Sequence, residues 1–218
     1  SIDPFPTQGP EQAPLGLLAF CWHYSKAVWP ILAMVTLLSA SVAVLEVTLF
    51  SFLGSIVDWL ANADRSTFLE QEKGTLIMMG LVTLVLLPVV HLIWSLLFHQ
   101  TVMGNYPMRI RWQAHRYLLG QSMHFYQDEF AGRVATKVMQ TALGVREAVT
   151  KVLDIFVYVT IYFISAAALV AAFDLLLLLP FIVWVVLYGL VMRYFLPRMA
   201  EVSKRQADAR SLMTGRVV

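Results

Sequence analysis

Few residues in this chain of 218 could do chemistry, and most of them sit where chemistry is costly. Glu46 lies deep inside an apolar run, Val28–Val57. A carboxylate at the centre of a membrane span costs about 2.5–3.5 kcal/mol on insertion scales. It must therefore be protonated, paired or turned towards a cavity. Two more polar stripes interrupt other apolar runs. His91, Ser95 and His99 recur at i, i+4 and i+8, which is one helical face. That spacing between histidines is poor for a metal pair. Tyr158, Tyr162 and Ser165 recur similarly, each tyrosine offering an apolar ring and a hydroxyl. Glu46, His91, Ser95, Tyr158 and Tyr162 are thus candidates for lining a cavity that takes an amphipathic molecule. The alternatives are a polar contact between helices for Glu46, a satisfied packing histidine for His91, and interfacial or packing tyrosines for Tyr158 and Tyr162. No Ser/His/Asp nucleophile set or catalytic carboxylate pair is evident, and no metal site is expected. The single Cys21 excludes a disulfide within the chain and a cysteine metal cluster.

One stretch differs in kind. His124–Val134 is polar and aromatic between two long helical runs. Gln127, Asp128 and Glu129 offer acceptors flanked by Phe125, Tyr126 and Phe130. Aromatic residues in a solvent-facing loop are typical anchors for a partner's pocket. The residues alone fit an ordinary turn between helices equally well.

The elements that must position these residues are membrane helices. Only 14% of the chain is charged and 59% is hydrophobic, against about 25% charged in soluble domains. Four windows reach the length of about 20 apolar residues that a span needs, and spans of this kind must be helices. The expected fold is all-α and polytopic, with spans at about 30–60, 75–122, 132–173 and 175–216. The first span carries a small or polar stripe, Thr36, Ser39, Ala43 and Glu46, that should face other helices. Pro88 should kink the second span. Ahead of the spans, Ser1–Pro14 is rich in proline and should be irregular and exposed. Ser1–Gln12 has no basic n-region and is not expected to be a signal peptide. Leu15–Trp29, with Trp22, Tyr24 and Trp29, reads as an elbow helix lying in the membrane interface.

The second and third helical runs are too long for a bilayer, so they project beyond it. Basic residues mark the side. Arg109, Arg111, Arg116, Arg133, Lys137, Arg146 and Lys151 fall between the second and third spans, and Arg193, Arg198, Lys204, Arg205, Arg210 and Arg216 fall in the tail. The loop after the first span has only Arg65 and Lys73 against four acids, and the third-to-fourth hairpin has none. Lys and Arg excess marks the cytoplasmic side. The N-terminus, the excursion at 99–154 and the tail are expected there. Orientation alone explains the charge, and nucleic-acid binding is not expected.

Long helices extended into the cytoplasm, short outer loops and an elbow helix resemble the transmembrane domain of ATP-binding-cassette exporters, the six-span multidrug, lipid and peptide type. The most specific match is Phe125-Tyr126-x5-Gly132-x-Val134-x2-Lys137-Val138. It is similar to that family's first intracellular loop, where a short coupling helix docks on an ATPase domain. The chain departs from the pattern at Lys137, where the family usually has Arg, and at Met139 and Gln140, where it has an acid nearby. The resemblance implies that Phe125, Tyr126, Gln127, Asp128, Glu129, Phe130 and Gly132, in the loop 123–131, couple to an ATPase domain. It implies four of six spans within 30–218, preceded by the N-terminus and elbow at 1–29. It implies a second transmembrane half, as homo- or heterodimer, and a bacterial inner (plasma) membrane. It also implies ATP and Mg in an ATPase domain, since no Gly-x4-Gly-Lys-Ser/Thr phosphate loop occurs in these residues. This segment is expected to bind no cofactor itself. Two rival functions fit a polytopic chain: a membrane sensor or scaffold signalling to a cytoplasmic domain, and a proton-coupled secondary transporter using Glu46.

Overall fold

Backbone polar groups in lipid must be paired within the segment, and the apolar runs here are accordingly helical. In a computed structural model, the described residues are all except Ser1, Gln8, Pro10, 63–67, Glu129, Phe130 and Val218. The side chains at 62, 69, 126–128, 131–133, 204, 207, 208 and 210–217 also lie outside the description. No strand occurs among the described residues. The chain is an all-α polytopic membrane protein with four helices long and apolar enough to cross a bilayer. It divides into two compact units, Ser1–Ser165 and Ala166–Val218.

In the first unit, α1 (Leu17–Ser25) is the elbow. Leu17, Leu18 and Trp22 are exposed on it, while Ser25 is buried. Helix α2 (Trp29–Asn62) follows with Pro30 in its first turn, a position where the missing N–H costs nothing. Leu32, Val35, Ser39, Val42, Ala43 and Val47 make its buried face at helical spacing, and Val28 just before it is buried too. Ser39 and Ala43 of the small, polar stripe therefore do face protein. Elsewhere on α2, the hydroxyls of Thr36, Ser41, Thr48 and Ser55 donate to the carbonyls four residues back. That satisfies them without an external partner.

Helix α3 is continuous over 68–119 and starts at Phe68, earlier than the apolar pattern suggests. Its α-helical parts are Phe68–Leu81, Leu87–Leu96 and Tyr106–Leu119, separated by π-helical stretches at Val82–Leu86 and Leu97–Asn105. Each π stretch ends two residues before a proline, Pro88 and Pro107. A proline cannot donate to the carbonyl four residues back and its ring collides with it. A wider turn ahead of the proline relieves both problems. The 50 residues Glu70–Leu119 reach about 75 Å at 1.5 Å per residue. The hydrocarbon core is about 30 Å, so α3 extends well beyond it.

After Gly120, Ser122 caps a short helix, α4 (Met123–Asp128): the Phe125 N–H donates to Ser122 Oγ at 3.4 Å. Helix α5 then runs over 131–173, with α-helix at Ala131–Thr150 and Val157–Phe173 and a π stretch at Lys151–Phe156.

The core of this unit is at one end. Ile2, Val28, Leu32, Val35, Val102, Tyr106, Ile110, Ala142 and Val145 pack together. They come from the N-terminal segment, the start of α2, the second half of α3 and the first half of α5. Most described residues of the N-terminal segment are exposed, as expected, but Ile2 is 3% exposed and Pro6 is buried. The segment is irregular, but α3 holds its carbonyls. The apolar windows of α3 and α5 are instead almost wholly unburied. Such a surface suits lipid, which is as apolar as leucine.

In the second unit, Asp174 separates α5 from a 3-10 turn at Leu175–Leu178, its carboxylate accepting the Leu176 N–H at 2.8 Å. Helix α6 (Leu179–Val217) follows, with Pro197 inside it. One turn around that proline is braced by Arg198, whose guanidinium lies 3.5 Å over the Tyr194 ring and donates to the Tyr194 carbonyl at 3.1 Å.

Candidate functional site

Helix α5 meets both neighbouring spans within one helical turn. The Tyr158 hydroxyl donates to Glu46 Oε2 of α2. One turn earlier, Asp154 Oδ1 accepts the indole N–H of Trp94 from α3 at 3.1 Å. Asp154 lies in the π stretch of α5, where ladder geometry is loosened and side chains can be re-aimed. Tyr162 stacks on Tyr158 at 5.9 Å between ring centroids. Glu46, Tyr158 and Tyr162, singled out separately from the sequence, are therefore one group. His91 and Ser95 belong elsewhere. The His91 ring meets Trp94 at 5.3 Å, and Ser95 bonds His99 on its own helix at 3.3 Å. Among the described residues, no hydrogen bond or ring contact joins either to Glu46 or Tyr158. Chemically, the Glu46 group is a carboxylate already served by a phenol donor. It ties α2 to α5 in this conformation.

At the other end, α4 is a helix of six residues between α3 and α5. His124 is exposed and Phe125 half-buried. Gly132 falls in the first turn of α5. The side chains of Tyr126, Gln127 and Asp128, and all of Glu129 and Phe130, lie outside the described residues.

A second site was not anticipated. Residues 2–7 lie along α3 as a strap held by its backbone carbonyls. Asn105 Nδ2 donates to the Ile2 carbonyl at 3.2 Å and Arg109 Nη1 to that of Asp3 at 2.9 Å. Trp112 Nε1 donates to the Pro6 carbonyl at 3.2 Å. Arg116 Nη1 reaches the carbonyls of Pro6 and Thr7 at 3.2 and 3.0 Å. Phe5 packs edge-on against the Trp112 ring at 5.3 Å. The four donor residues, at i, i+4, i+7 and i+11, form one face of α3. That stripe of donors was visible in the sequence. Its arginines had been explained by orientation alone.

The elbow is fastened to the same stretch of α3. The hydroxyls of Ser25 and Tyr106 are 2.7 Å apart in the core, and Ser25 also donates to the Cys21 carbonyl at 2.6 Å. Nearby, Tyr24 is pushed above the ordinary phenol range by burial and then by Tyr117. It remains protonated, a hydrogen-bond donor. Arg109, Gln113, His23, Tyr24, Lys26 and Glu11 surround a small cavity of about 50 Å³ between the elbow, α3 and the chain just after the strap. Lys26 and Glu11 pair across its rim at 3.2 Å.

Residues 32–218 match the family described as ABC transporter transmembrane region. The chain belongs to that family. A Haemophilus influenzae protein, described as an uncharacterized ABC transporter ATP-binding protein, is 43% identical over 217 residues. That similarity takes in 99% of this chain and 35% of the relative, so the chain spans about a third of the relative's length. No solved structure matches. The family match begins at Leu32, past the strap and the elbow. The strap and the elbow thus precede the part the family describes, although similarity to the relative extends over them.

Proposed function

We propose that the chain is the membrane-spanning part of an ATP-driven exporter. It would move an amphipathic drug, lipid or peptide out of the cytoplasm by alternating access. The family match supports this reading, and one structural observation carries it. The two helices that overrun the bilayer are joined at their far end by α4, a short capped helix in the place where the family's coupling element is expected. The basic residues around that end support a cytoplasmic location, with the N-terminus on the same side, in a bacterial inner membrane. ATP and Mg would be held by an ATPase domain. The chain's own contribution is the pathway and the lever. Phe125 and Tyr126 would enter a pocket on the ATPase domain, with Gln127, Asp128, Glu129, Phe130 and Gly132 shaping the turn. A second transmembrane half would complete the cavity.

Glu46, Tyr158 and Tyr162 would lie along the path, with His91 and Ser95 on a separate face of α3. A substrate donor would reach Glu46 beside the Tyr158 hydroxyl, which occupies one oxygen of the carboxylate, Oε2. The test is vanadate-sensitive ATPase activity and transport by the full-length protein in liposomes, compared with Phe125→Ala and Tyr126→Ala. The expected outcome is that both variants keep basal ATP binding but lose transport coupled to it. Unchanged transport in both would refute the coupling role.

A further inference from the structure

The cavity under the elbow has the makings of an anion site. Arg109 is only 8% exposed, yet its guanidinium is held by a neutral carbonyl, that of Asp3. Among the described residues no carboxylate is ion-paired to it, and Arg109 forms part of the cavity wall. A buried charge is tolerated when a counter-charge or full hydrogen bonding offsets its lost hydration. Gln113 is beside it in the cavity wall, and its side-chain amide carries two N–H donors. Lys26, His23 and the protonated Tyr24 complete the lining. Glu11 is the carboxylate at the site, and it is engaged with Lys26 on the exposed rim. The walls are thus rich in donors and cationic in balance.

Size narrows the occupant. The cavity measures about 50 Å³. A water's share of liquid volume is about 30 Å³, and a drug-sized ligand needs about 300–1,000 Å³. A single tetrahedral oxyanion with its substituent left outside fits between those limits. Position narrows it further. The exposed Leu15, Leu17, Leu18 and Trp22 of the elbow region are the apolar side of an interfacial element, and the cavity is beneath that element.

We propose that this cavity binds a phosphate-class oxyanion, free or as the headgroup phosphate of a phospholipid, with Arg109 as its buried counter-charge. The bound group pins the elbow to α3 and to the chain that follows the strap.

The test is hydrogen–deuterium exchange of the full-length protein in an uncharged sugar-based detergent, read on peptides from 2–27 and 105–119. One arm adds inorganic phosphate at ionic strength matched with chloride. The other dopes the micelles with short-chain phosphatidylglycerol, against equal doping with diacylglycerol. At ten times the half-saturating concentration, the effective probe should slow exchange in these peptides about tenfold. The double variant Lys26→Ala/Gln113→Leu should need at least ten times more of it. Slowing by phosphate identifies a free oxyanion; slowing only by phosphatidylglycerol identifies a headgroup. Either supports the site. No slowing by either probe, or equal slowing in the variant, overturns it. If Gln113→Leu alters the protein without probe, Lys26→Ala alone makes the comparison. Exchange in these peptides does not depend on the exporter reading, and loss of transport coupling in the α4 variants does not depend on this site.

Discussion

The strap end of the first unit and the apolar windows of α3 and α5 are parts of the same helices, yet they obey opposite rules. At the strap end, Val102, Tyr106 and Ile110 are almost completely buried, and donors from α3 meet carbonyls of the N-terminal segment. In the windows, Leu84, Leu92, Val159 and Ile164 are exposed, and the polar ties are Trp94–Asp154 and Tyr158–Glu46. In water, burial stabilises. In lipid, exposed leucine costs nothing, so a few polar contacts and close packing must hold helices together. One α3 residue type can therefore matter greatly at one end and little at the other.

Substitutions should expose that gradient. Tyr106→Ala removes a fully buried ring and leaves Ser25 short of a partner. It should cost about 3–5 kcal/mol, seen as a large fall in the denaturation midpoint of the purified protein. Trp112→Phe keeps a ring against Phe5 but loses the bond to the Pro6 carbonyl. A loss of about 1 kcal/mol is expected, with faster hydrogen exchange confined to the strap and α3. Tyr158→Phe removes the donor to Glu46 inside the membrane, where such bonds average about 0.6 kcal/mol. A double-mutant cycle with Glu46→Met, which removes the carboxylate acceptor, measures the coupling, and a value of zero would show that the contact does not tie the helices. Leu92→Ala, on an outward apolar face, should change stability by no more than about 0.5 kcal/mol. A Leu92→Ala effect as large as that of Tyr106→Ala would erase the contrast between the two regions.

Hydropathy made the four spans legible, because a bilayer imposes one length and one composition on every helix that crosses it. A short helix ahead of the first span was legible too, and α1 (Leu17–Ser25) is that helix. Glu46 announced itself as a charge that could not face lipid. Its partner was not readable, because Tyr158 is 112 residues away and nothing local links them. The strap was hidden more thoroughly. Its contribution is mostly backbone carbonyls, which every sequence has, and its prolines signal an absence of regular structure without signalling contact. Only α3 carried a trace, in Asn105, Arg109, Trp112 and Arg116 at helical spacing. Trp94 and Asp154 were missed because each looked like an ordinary residue near a membrane boundary.

The π stretch at Leu97–Asn105 sets the angular phase of everything after it. In an α-helix each residue subtends about 100°. Narrowing one wide turn to an α-turn would offset the lower half of α3 from the upper half by about that angle. The donors at 109, 112 and 116 would then swing off the strap, while Trp94, upstream, kept its bearing on Asp154. Helix α3 is thus built like a jointed shaft, with the joint lying between the contact that grips its membrane half and those that grip its base.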